Sequence, residues 1–183
     1  MHVEFVEGDI HDPAPDGPFD AIVGRLILMY VPDPAAVLRR QATVLRGGGL
    51  VVPIEFDIPA ARALPATPLA SQALAWVVQA FAKGGIQPAG DTAVGHPAGG
   101  GAASARDARD PAHFGPDDPG AITAGLAGVI RTAAPLIERT GVATAEEIGV
   151  ETFAQRLRDE LRVNQAVFAY PTLLSAWGTT DEA

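Results

Sequence analysis

Phe19–Asp57 reads FDAIVGRLILMYVPDPAAVLRRQATVLRGGGLVVPIEFD, and its pattern predicts strand, loop, helix, glycine turn and strand. The run Phe19 to Gly24 is short, β-branched and bounded by turn residues, which suits a strand buried on both faces. Asp33 followed by Pro34 marks a helix start, an N-cap acceptor before a proline whose missing N–H costs nothing there. Val37, Leu38, Ala42 and Leu45 then recur at helical spacing, with Arg39, Arg40 and Arg46 facing out near the negative end of the helix dipole. Gly47, Gly48 and Gly49 stop the helix, and Leu50 to Phe56 runs back as a second buried strand. A strand, crossover helix and strand form a right-handed unit with parallel neighbours. Pro53 lacks a ladder N–H, so the regular strand is expected to end near Val52. Glu55 and Asp57 follow at the carboxyl end, where open α/β sheets hold their ligands. Glu55 reads either as a general base or, more plainly, as an exposed loop carboxylate.

Preceded by VEFVEGDI, this stretch resembles the second half of the Rossmann-like domain of class I S-adenosylmethionine-dependent methyltransferases. The resemblance rests on Gly8-Asp9-Ile10 after a strand-like Val3–Glu7, on Phe19-Asp20 opening the next strand, and on the glycine turn after the helix. It covers about the first third of the chain. It implies that Asp9 hydrogen-bonds the adenine amino group of S-adenosylmethionine, that Ile10 packs on the adenine ring, and that Gly24 and Arg25 meet the methionine end. The family's first two strands, with their glycine-rich turn and ribose-binding acid, have no counterpart before Val3. Gly99–Gly101 follows no strand and reads as low-complexity linker. The fold expected is therefore α/β, an incomplete Rossmann-like methyltransferase sheet with its first two strands missing, C-terminal helices and a terminal hairpin. The resemblance further places Val3–Glu7 across a gap from the Phe19 strand: either it pairs directly with that strand, or it stays loosely attached, or a second chain fills the gap, and an unfilled gap would leave the Phe19 strand with an apolar edge open to association.

Composition bounds the rest. With 183 residues and 48% hydrophobic content, a single domain with one core is expected over 1–183, as a truncated methyltransferase-like domain whose Rossmann-like core is 1–58. A net charge of −9 from 13 basic and 22 acidic residues disfavours a nucleic-acid surface, which needs clustered Lys and Arg. Lys83 is the sole lysine, and the absence of cysteine excludes disulfides and thiolate metal sites. No basic leader and no run of about 18 apolar residues is present, so a cytoplasmic chain without membrane association is expected.

Beyond Asp57, Pro59, Pro65 and Pro68 lead into a helix over Leu69–Lys83, its apolar face made by Leu69, Ala73, Trp76, Val77, Ala80 and Phe81. Trp76 and Phe81 read as core, with a pocket lining as the alternative. The stretch 87–120 has no period and is dominated by Gly, Pro, Ala and Asp, which predicts a long mobile loop. The contrast with its patterned flanks suggests a shifted reading frame, which the coding DNA would test. His96, His113, Asp107, Asp110, Asp117 and Asp118 show no metal-ligand spacing, and His2 and His11 have no visible partners, so no metal is expected. The C-terminal part, 121–183, opens with an amphipathic helix through Ile122, Leu126, Val129, Ile130, Leu136 and Ile137, interrupted at Pro135. Thr144 to Glu147 forms a capping-box pattern. A further helix near Val150–Arg162 places Phe153, Leu157 and Leu161 on one face, and Ala166–Tyr170 and Leu173–Trp177 read as strands.

Three readings follow. One is S-adenosylmethionine-dependent methyl transfer to a small-molecule acceptor, impaired by truncation, with catalytic residues unknown. A second is a non-catalytic remnant that dimerises or binds a partner through its sheet edge. A third is a piece whose upstream residues complete an ordinary enzyme.

Overall fold

In the computed structural model, residues 3–12, 17–86, 104–105, 113–118 and 125–181 are described. The chain divides into two compact units: Met1–Glu55 with Asp91–Arg106 and Leu174–Ala183, and Phe56–Gly90 with Asp107–Leu173.

The first unit is built on the unit read from Phe19–Asp57. Strand β1 (Phe19–Arg25) lies parallel to β2 (Leu45–Asp57), connected through a 3-10 turn at Leu28–Tyr30 and helix α1 (Pro34–Ala42). Asp33 caps α1, its side chain accepting from the Ala36 amide at 2.9 Å, with Pro34 in the first turn. Val37 and Leu38 bury one face of α1 against Leu28, Val31 and Val51, and Ile10, Ile27, Ala42 and Leu45 pack around that cluster. The sheet continues as β1-β2-β7-β4, where β4 is Ser104–Ala105 and β7 is Thr172–Thr179. Its strands are both parallel and antiparallel, since β4 pairs antiparallel with β7.

Four expectations are corrected here. The glycines do not form a turn that stops a helix: α1 ends at Ala42, and Leu45 and Arg46 already belong to β2. Phe19 pairs with Leu45 and Ala21 with Leu50, so Arg46–Gly49 bulge out of the ladder. Gly48 supplies a left-handed φ of 69°, and a Cβ on Gly49 would stand 2.9 Å from the Arg46 carbonyl oxygen, which is why this bulge takes glycines. Thr180 closes it, its hydroxyl donating to Arg46 O at 2.7 Å and accepting from Gly49 N at 3.0 Å.

Second, Pro53 does not end the strand. Gly24 pairs with Pro53 and Arg25 with Ile54, and the Ile54 carbonyl accepts from Leu26 N at 2.8 Å. Successive residues turn their polar groups to opposite sides, so the proline nitrogen points away from β1 and that ladder loses nothing. Third, β1 is not buried on both faces. It is an edge strand among the described residues, with Phe19 and Val23 exposed. Fourth, Val3–Glu7 is no strand but an exposed stretch without ladder pairing. What anchors the chain next to it is the Asp9–Asp12 turn, docked on α1 by side-chain bonds instead of a sheet.

The second unit packs helices on a small antiparallel sheet, β3-β6-β5, made of Arg62–Leu64, Val167–Ala169 and His113–Phe114. Helices α2 (Pro68–Lys83), α3 (Leu126–Arg139) and α5 (Val150–Val163) pack on one another, with the short α4 (Ala145–Ile148) between the last two in sequence. Trp76, Val77, Ala80 and Phe81 are buried with Ile130, Ile137, Phe153, Leu157 and Leu161, so the core reading of Trp76 and Phe81 holds. The capping box at Thr144 and Glu147 is present, and α4 then stops at Gly149, whose φ of 55° starts α5. The segments expected as a terminal hairpin are both strands, but β6 lies in this sheet and β7 in the sheet of the first unit. Tyr170-Pro171 separates them, and neither is the other's ladder partner. Most of 87–120 lies outside the described residues, as do His2, His96, Asp107 and Asp110. Asp117 pairs with Arg162 at 3.0 Å.

Candidate functional site at the carboxyl ends of β1 and β2

Two loops converge on the cluster under α1. One is Gly8–Asp12, where Gln41 Nε2 donates to the carbonyls of Ile10 and Asp12, both at 2.7 Å, and Arg40 donates to His11 O at 2.8 Å. These bonds come from the last turns of α1, so the helix that connects the parallel strands also carries this loop. Ile10 packs half-buried against the cluster that holds Leu28. Asp9 is exposed, and its Oδ1 takes both the His11 amide and the His11 ring nitrogen at 2.8 Å. The His11 amide bond first, then the ring, holds the Asp9 carboxyl below its ordinary value, so it is an anion at neutral pH. Both contacts fall on one oxygen, which leaves the exposed side chain an acceptor for a donor such as an exocyclic amine.

The second loop leaves β1 at Gly24 and Arg25. Gly24 is half-buried, and a Cβ there would stand 3.3 Å from the Ile27 side chain; Arg25 is exposed. Leu26 follows with φ 56°, a left-handed conformation that costs a branched residue about 1–2 kcal/mol. Three successive amides hold this bend. Leu26 N donates to Ile54 O at 2.8 Å, while Ile27 N and Leu28 N donate to the Oε1 atom of Glu55 at 2.9 and 2.7 Å.

Glu55 is thus not the exposed carboxylate its loop-end position suggested. It is 0% exposed, and its second oxygen is buried without a hydrogen-bond partner among the described residues. Burial pushes its carboxyl up from the usual carboxylate range, and the Leu28 and Ile27 amides pull against that shift. The alternation of β2 is the signal that could have found it: Val51, Pro53 and Glu55 share a buried set, and Glu55 continues it.

Asp9 and Ile10 therefore lie on one loop and Gly24 and Arg25 at the carboxyl end of β1, and Ile10 shares one apolar cluster with Ile27 and Leu28 of the loop that follows. An exposed anionic acceptor beside a half-buried isoleucine fits an aminopurine in donor set and polarity. Among the described residues no group of three or more His, Asp or Glu is placed to hold a metal ion, and no helix is long and apolar enough to cross a membrane.

Residues 1–52 match a family model described as a methyltransferase domain. The match takes in both loops, β1, α1 and the start of β2, and it bears out the class I S-adenosylmethionine-dependent methyltransferase resemblance. No curated protein matches the chain.

Proposed function

We propose that the chain serves S-adenosylmethionine-dependent methyl transfer to a small-molecule acceptor, with Asp9 and Ile10 on the adenine side and Gly24 and Arg25 on the methionine side. The observation that carries this reading is the docking of Gly8–Asp12 and of the loop after β1 on one cluster at the α1 side of the sheet. When bound, the cofactor supplies a sulfonium methyl group for in-line displacement by a lone pair of the acceptor. The chain's part is to hold and orient: the Asp9 anion accepts an amino hydrogen, Ile10 offers an apolar face, and the bend after Arg25 keeps backbone close to the ligand. Calorimetric titration of S-adenosylhomocysteine, repeated with Asp9→Ala, tests it. Saturable binding weakened by the substitution is expected; no heat from the folded chain would remove the reading.

The exposed edge of β1 favours a second reading, a non-catalytic chain that dimerises through this edge. Concentration-dependent association in sedimentation equilibrium, abolished by Val23→Lys, is its expected signature. A monomer at all concentrations would exclude it.

A further inference from the structure

We infer that Glu55 is a positioning residue, which holds the bend at Leu26–Leu28 in the shape that presents Gly24 and Arg25 to a bound ligand. This rests on the methyl-transfer reading of the loop.

Leu26 occupies a left-handed conformation that a leucine does not favour, so the bend needs partners that over-determine it. The first of its three amides is held by a backbone carbonyl, Ile54 O, which any residue at that position would supply. The other two require a side chain that accepts twice at one atom, and Glu55 Oε1 does so. The base of that side chain is itself fixed, because the preceding residue, Ile54, pairs with Arg25 in the parallel ladder. The carboxylate therefore reads the position of β1 and transmits it to the residues that follow. It does this while fully buried and with Oε2 unpartnered among the described residues, an arrangement that costs stability. A side chain serving the core alone would be apolar here, as the buried Val51 and Pro53 before it on the same face are.

The test combines amide hydrogen exchange at Ile27 and Leu28 with S-adenosylhomocysteine titration, in the wild-type chain, Glu55→Gln and Glu55→Met. Glutamine presents an oxygen to the same amides, whereas methionine fills the space without a comparable acceptor. Both amides are expected to exchange about 100-fold or more slower than in an unstructured peptide in the wild type and Glu55→Gln, and to lose that protection in Glu55→Met. Ligand affinity is expected to fall about tenfold or more in folded Glu55→Met and to stay within about threefold in Glu55→Gln. Unprotected amides in the wild type overturn the assignment whether or not the variants fold. Protection that survives in Glu55→Met, or unchanged affinity in that variant when folded, also overturns it. Protected amides that open in Glu55→Met, in a wild-type chain that takes no ligand, would sustain the hold on the bend and remove the methyl-transfer reading instead.

Discussion

The Oε1 atom of Glu55 lies 2.7 Å from the amide nitrogen of Leu28, a bond that spans 27 residues of sequence. Its energetics have a definite sign. Burial, the largest influence, raises the carboxyl above its unfolded value, so the native state holds its proton to higher pH than the unfolded chain does. The Glu55 contribution is then most favourable below about pH 4, the unfolded range, and declines as pH rises through the elevated native value. Denaturant titrations of the wild type and Glu55→Gln between pH 4 and 8 are expected to show the wild type losing ground to the variant as pH increases. A constant difference across that range would contradict the assignment.

Glu160 should matter to the second unit more than its place on the solvated side of α5 suggests. Its two oxygens accept the amides of Leu69 and Ala70 at 2.7 and 3.1 Å, capping α2, whose own N-cap Thr67 makes no side-chain bond to the helix. Glu160→Ala is expected to cost about 1–2 kcal/mol, the upper part of the range for a lost helix cap. Urea unfolding should show a lower midpoint with an unchanged slope, and Glu160→Gln should lose less.

Gly149 joins α4 to α5 at φ 55°. A Cβ there would stand 3.0 Å from the Arg156 guanidinium, which is itself bonded to the Ile148 carbonyl. Gly149→Ala is expected to destabilise by about 1–2 kcal/mol, from the left-handed backbone and the displaced arginine together. Thermal unfolding measured by circular dichroism would register it.

Phe153, at 0% exposure, fills the centre of the helical core. Phe153→Ala should cost about 3–5 kcal/mol, a transfer loss plus the cavity left behind. Because Arg156 lies over the ring at 5.6 Å, Phe153→Leu should recover most of the loss but not the cation–π part. Chemical denaturation of the two variants would separate these terms.

Local signals in the sequence were sufficient wherever the cause of an element is local. Asp33-Pro34 starts α1, Thr144 and Glu147 close their capping box, and the apolar faces of α2 and α5 are the buried ones. The parallel pairing of β1 and β2 also follows from the order of elements alone. What eluded pattern reading depends on distant partners. Gly47–Gly49 resemble a turn until Thr180 is seen to close them as a bulge, and Pro53 spares the β1 ladder because its nitrogen faces away from that strand. Val3–Glu7 alternates like a strand, yet alternation without a neighbouring ladder makes no strand. In the site, the positions of Asp9 and Ile10 were suggested by resemblance, but the partners of Glu55 are amides on another loop, 27 and 28 residues away in sequence.

The cap that Glu160 places on α2 also bears on how the chain is made. Leu69 leaves the ribosome 91 residues before its capping partner, an interval of roughly 5–18 s at common rates of synthesis. Until α3 follows, α2 has its apolar face uncovered, and until Glu160 follows it has no acceptor for its first amides. The second unit can therefore close only late in translation, and the nascent helix is the segment most in need of a chaperone until it does.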